Sequence, residues 1–234
     1  AALRKAVEEH NRLCRVITEI GNFRKLSNPP ITGYEFHVIQ LVSQVCPHDL
    51  ILPYLEETLE ELKTREPEPQ FPFRARVVVV GSEIDDPDFT KLIETCGAMV
   101  VADRYCYGST PGREEIVINE GEDVLTQIVR HYMKTSECAR YMSEDKITQR
   151  RETADRLAKE NGADGIVYEQ MKFCDFWAFE RPLASHILHD EYGWPVLSID
   201  RPYNVRNSGQ LRTRFQAFVE ALEIKRIHAE EVKA

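Results

Sequence analysis

No apolar run of membrane-spanning length, no CxxC pair and no HExxH motif occurs in this 234-residue chain. The first absence excludes a transmembrane helix, which needs about 20 consecutive apolar residues. The other two remove the usual spacings of structural and catalytic zinc. GxGxxG, GxxxxGK(S/T) and GxSxG are missing as well, so a dinucleotide fingerprint, a phosphate loop and a hydrolase nucleophile elbow have no basis. Positive charge is in deficit: 30 Lys and Arg against 39 Asp and Glu leave a formal net charge of -9. That is the opposite of the basic footprint expected for nucleic-acid binding. Six cysteines, at 14, 46, 96, 106, 138 and 174, are scattered along the chain, which suits reduced cytoplasmic thiols better than a disulfide framework. The opening AALRKAVEEHNRL reads as a charged helix and not as a signal peptide. A cytoplasmic protein with neither nucleic acid nor membrane as partner is expected.

What is present divides into two textures. Leu3, Val7, Leu13, Val16, Ile17 and Ile20 recur at helical spacing over residues 1–26. SNPPITG then interrupts, because paired prolines cannot continue a helix. Further helices are expected over 33–44 and about 48–64. A proline-rich stretch, EPEPQFPF (66–73), marks a boundary between a helical segment (1–70) and an α/β domain (71–234). Beyond it, RVVVVG (76–81), AMVVAD (98–103), DGIVYE (164–169) and PVLSID (195–200) read as short buried strands. Helices are expected between them from about 87, near 121–134, over 147–163 and near 179–191, with a last one from Ser208 to about 224. Asp86 is a plausible cap for the first of these, with Pro87 in its first turn and Gly97 at its stop. This alternation predicts a Rossmann-like parallel sheet with helices on both faces.

In such sheets ligands sit beyond the carboxyl ends of the strands. Those ends read GSEIDD (81–86), DRYCYGS (103–109), EQMKFCD (169–175) and DRPYNVRNSGQLRTR (200–214), all polar or reactive. Ser82 and Glu169 lie in two of them. Ser208, Gly209, Gln210 and Arg212 form a capped helix entrance suited to an anion. These six residues are the candidate substrate-binding set; Arg212 and Arg214, two apart, cannot face one ligand from a regular helix. Cys174, in MKFCDFWAFERP, falls just before a helix, where free N–H groups and the dipole favour a thiolate, the form that ligates iron or zinc. The plainer alternative is a small buried hydrophobe among Phe173, Phe176, Trp177 and Phe179. Cys106, between two tyrosines, is the second metal-ligand candidate; Cys138 shows no distinguishing partner, and Cys14, Cys46 and Cys96 read as packing. No catalytic acid or base stands out.

Three stretches carry a resemblance. RVVVVGSEIDDPDFTKLIETCGAMVVADRYCYGS, ADGIVYEQMKFCDFWAFERPL and PVLSIDRPYNVRNSGQLRTRFQAFVEAL resemble the subunits shared by 2-hydroxyacyl-CoA dehydratases and benzoyl-CoA reductases. The likeness runs over nearly the whole chain, including NPPITGYE. It implies an iron–sulfur enzyme, of 4Fe–4S type, made with a homologous second subunit. An ATP-dependent iron–sulfur activator delivers one low-potential electron to an acyl-CoA substrate. Cys174 inherits the role of cluster ligand. Because family members carry another cysteine-bearing domain before these helices, the resemblance also implies that this chain alone holds an incomplete cluster. The loop YCYGSTPGREEI looks closer to benzoyl-CoA reductases, which puts reduction first and 2-hydroxyacyl-CoA dehydration second. A non-catalytic scaffold or cluster carrier, or a small-ligand α/β module, are the alternatives from other classes.

Overall fold

Four apolar runs form the sheet in the computed structural model, which describes residues 2–67, 72–203 and 209–231. Helices α1 (Ala2–Asn22), α2 (Gly33–Val45) and α3 (His48–Leu62) come first, with a short 3-10 turn at Phe23–Lys25. Then follow β1 (Ala75–Gly81), α4 (Pro87–Thr95), β2 (Ala98–Arg104), α5 (Val124–Thr135), α6 (Glu144–Glu160), β3 (Gly165–Met171), α7 (Asp175–Asp190), β4 (Val196–Arg201) and α8 (Gly209–Glu231). The proposed division at residues 70 and 71 and the proposed cap Ser208 lie outside the described residues.

All strand pairs are parallel, in the order β2-β1-β3-β4. Side chains alternate across a strand, so neighbouring valines of β1 serve different cores. Val77 and Val79 pack with Phe89 and Ile93 of α4 and with Phe215 and Val219 of α8. Val78 and Val80 pack on the opposite face with Ala154 and Ala158 of α6 and with Trp177 and Leu188 of α7. The expected α/β class, with helices on both faces, is what forms. A third core joins the first helices through Leu13, Ile17, Ile20, Phe36, Leu55 and Leu59. Local capping explains several limits: Thr32 and Glu35 form a capping box at α2, and the Asp86 side chain accepts from Asp88 N–H at the start of α4. Among the described residues no helix is long and apolar enough to cross a membrane.

Glu94 ties the helices to the sheet. Its buried carboxylate accepts from the N–H groups of Gly33 (2.7 Å), Tyr34 (3.0 Å) and Val100 (3.3 Å), so α4 caps the open end of α2. Burial pushes this carboxyl up to about 7 from the usual 4.5, against the pull of those N–H donors. Between these values the folded state holds a proton that the unfolded chain has lost, so stability is lost as pH rises through about 7. Urea midpoints are therefore expected to fall from about pH 5 to about pH 8. Glu94→Gln should flatten that slope, and an unchanged slope would acquit Glu94.

Candidate functional site

The chain turns back at β1. After β2 is laid on one side, β3 and β4 add on the other, which makes the carboxyl ends of β1 and β3 the topological switch point, where ligands bind in open parallel sheets. Register pairs Gly81 with Glu169 there. The two backbones are so close that a Cβ on Gly81 would stand 2.1 Å from the Glu169 carbonyl oxygen. Only glycine permits that approach.

Ser82 then joins three strand ends. Its N–H and hydroxyl donate to Glu169 Oε2 at 3.1 and 2.9 Å. Its Oγ accepts from Met171 N–H at 2.6 Å, and its carbonyl accepts from Cys106 N–H at 3.0 Å. The other carboxylate oxygen of Glu169 faces Arg201 Nε at 2.8 Å, with both side chains fully buried. The contact is an ion pair, not an aligned hydrogen bond. Arg201 also donates to the carbonyls of Pro202 and Tyr203, at 3.2 Å each, and to that of Glu83. Burial pushes the Glu169 carboxyl up to about 7, while Arg201 and Ser82 pull it back. Ser82 and Glu169 are thus brought together as predicted, but their hydrogen bonds run inward and both are fully buried. These bonds tie the ends of β1 and β3 together. Arg201 escaped the sequence reading; the signal was an arginine closing an apolar strand.

Cys174 is the N-cap residue of α7, half-buried, and its side chain makes no capping hydrogen bond. The helix begins at Asp175, four residues earlier than expected. The expected enclosure by aromatics does not form. Trp177 is buried against Tyr168, with ring centroids 6.1 Å apart, whereas Phe173 is 97% exposed and Phe179 73% exposed. Helical spacing explains this: Trp177, Glu180, Ala184 and Leu188 face inward, which turns Phe176, Phe179 and Leu183 outward. Phe173 itself has φ 71°, a left-handed conformation that a bulky side chain rarely adopts.

Cys106 leaves β2 half-buried, hydrogen-bonded through its backbone to Ser82. Cys138 comes to the same end because its neighbour Glu137 pairs with Arg104 at 2.8 Å, both nearly buried. Burial pushes the Cys106 thiol up to about 12, reinforced by the nearby Cys138 and Cys174 and by Glu83 and Glu169. Sequence reading found no partner for Cys138, since its placement rests on that ion pair. Of the packing cysteines, Cys14 and Cys96 are buried as expected, whereas Cys46 is half-buried at the end of α2. Gly209, Gln210 and Arg212 open α8 and are exposed. Arg212 and Arg214 do diverge: Arg214 donates to the Ser198 carbonyl at 2.7 Å, while Arg212 faces solvent.

The profile of the family described as "2-hydroxyglutaryl-CoA dehydratase, D-component" matches residues 1–222. The chain belongs to that family. It is 28% identical over 169 residues to the (R)-phenyllactyl-CoA dehydratase beta subunit of Clostridium sporogenes, covering 72% of this chain and 43% of the relative. It is also 28% identical over 147 residues to the (R)-2-hydroxyglutaryl-CoA dehydratase subunit beta of Acidaminococcus fermentans, covering 63% of this chain and 38% of that relative. The chain therefore spans less than half the length of either relative.

The family implies an iron–sulfur cluster. Among the described residues, no three acidic, histidine or cysteine groups stand close enough to hold a single metal ion. Three thiols from three different loops nevertheless gather at one sheet end, none in a disulfide, with Cys106 within electrostatic reach of the other two. Cysteine thiolates are the usual ligands of such clusters, and burial holds Cys106 in the thiol form until a metal takes its proton's place.

Proposed function

We propose that the chain is part of a 2-hydroxyacyl-CoA dehydratase component in which Cys174, with Cys106 and Cys138, holds an iron–sulfur cluster. The observation that carries this is the gathering of three thiols beside the β1–β3 switch point of a family member. Such clusters take four cysteines in the ordinary case, so three thiols leave the set incomplete in this chain alone. The cluster, when bound, would supply one electron at low potential to the thioester. Around it, Ser82, Glu169 and Arg201 keep the strand ends rigid, and Trp177 excludes water from the inner side of Cys174. Gly209, Gln210 and Arg212 at the opening of α8, with Ser208 before them in the sequence, are the residues that would receive the acyl-CoA.

The reading includes a homologous second subunit and an ATP-dependent iron–sulfur activator. Exposed Phe173, Phe176, Phe179 and Leu183 beside Cys174 support a protein partner on that side, since a contiguous apolar patch of this kind marks an interaction surface. Dehydration is placed ahead of benzoyl-CoA reduction because both relatives above are named for dehydration. The test is anaerobic assay of the purified complex with activator and ATP. A 2-hydroxyacyl-CoA should lose water, and benzoyl-CoA should remain unreduced. Turnover of benzoyl-CoA alone would reverse the assignment, and a complex without iron or either activity would end it.

A further inference from the structure

A cleft lined by both apolar and polar side chains lies on the side of the first helices. About 270 Å³ in volume, it opens between α1, α2, the start of α3 and the loop after β2, with His10, His48, Gly112 and Arg113 in its wall. Gln44 holds the loop in place by donating to the carbonyls of Tyr107 and Gly108 at 2.9 and 3.2 Å.

Behind the cleft the charges do not balance. Arg24 and Arg113 share one carboxylate, Asp103, which stands 3.3 Å from Arg24. Asp103 already accepts from Gln40 at 2.9 Å and from the Ser109 N–H at 2.8 Å. Among the described residues, no carboxylate stands within ion-pair distance of the Arg113 guanidinium, which lies 5.4 Å from the Phe36 ring and within electrostatic reach of the shared Asp103. Glu114 and Glu115 lie nearby but are exposed: Glu114 accepts from the Arg113 backbone N–H at 3.0 Å, and Glu115 pairs with Arg15 at 2.7 Å. Cys14 adds no negative charge, because burial pushes its thiol up to about 11. With Asp103 already paired to Arg24, the half-buried Arg113 presents a positive charge to the cleft with no carboxylate of its own, and such a charge attracts an anion. Arginine presents a planar fork of donors suited to oxyanions. His48 opens α3, which sets the positive end of a 15-residue helix at the same wall.

We infer that this cleft binds a small oxyanion, carried on a phosphate or a carboxylate, with Arg113 as its main ligand and His48 beside it. The inference stands apart from the dehydratase reading, since it requires neither cluster nor thioester. Inorganic phosphate, titrated into the full chain at constant ionic strength against matched chloride, should bind saturably with a Kd of about 1 mM or tighter. It should raise the melting temperature accordingly. Acetate, titrated in parallel, tells the two carriers apart: saturable binding of either supports the inference. Arg113→Gln should weaken binding by about tenfold or more. Arg113→Lys, which keeps the charge but loses the fork, should weaken it less and serves if the first variant does not fold. Absence of saturable binding by both anions in the unaltered chain overturns the inference. So does an affinity unchanged by either substitution.

Discussion

Arg201→Met should lower the stability of the chain by about 3–5 kcal/mol, the cost of leaving a buried carboxylate without its partner. Glu169 and Arg201 are both fully buried and stand 2.8 Å apart, so neither is screened by water. Removing the guanidinium also frees the carbonyls of Glu83, Pro202 and Tyr203. The pH dependence that Glu169 already gives the chain should steepen in the variant, with the same sign. Arg201 is the leading influence that holds the Glu169 carboxyl down, and without it burial acts with less opposition. The folded variant then keeps its proton to higher pH than the unfolded chain does, so stability is lost as pH rises above the usual 4.5. Replacing both partners, as Glu169→Leu with Arg201→Met, should recover much of the loss, because an apolar pair leaves no orphaned charge. Urea denaturation of the unaltered chain and the two variants from about pH 5 to about pH 8 measures both effects. A loss under about 1 kcal/mol for Arg201→Met would mean that Glu169 is neutral in the unaltered chain, and the ion pair would have to be abandoned.

Cys174→Ser should reduce iron and acid-labile sulfide in the anaerobically purified complex to background. The serine hydroxyl occupies the same N-cap position at α7, where Ser is a favoured capping residue, so the fold should survive. What it lacks is the soft thiolate that iron prefers. Cys106→Ser and Cys138→Ser should each lower iron content and alter the visible spectrum, since both thiols share the sheet end with Cys174. Cys46→Ser, at the far end of α2, is the control and should leave iron unchanged. Full iron in the Cys174→Ser protein would remove this residue from the ligand set. The same outcome for Cys106→Ser and Cys138→Ser would reduce their gathering to packing.

Much of the architecture was legible because its causes are local. Short β-branched runs such as RVVVVG mark strands, since a strand buried on both faces must be apolar throughout. Asp86, Pro87 and Gly97 bracket α4 through capping preferences that act within one turn. The strand ends could be named as the candidate site too, because that expectation follows from the parallel class itself. The start of α7 was not, as cysteine is not a usual cap and the aromatics around it favour extended structure. Nor was the exposure of Phe173 and Phe179, which depends on which face of α7 meets the sheet.

The amino-acid sequence by itself determined the α/β class and singled out the strand ends and Cys174 as candidates, because each rests on local periodicity or short-range preference. Only the tertiary structure decided that Ser82, Glu169 and Arg201 form one buried brace and that Cys138 joins Cys106 and Cys174. Those contacts join segments brought together by the strand order β2-β1-β3-β4 and by the Arg104–Glu137 pair. Neither leaves a trace in local spacing, since both are fixed by how whole elements pack against one another.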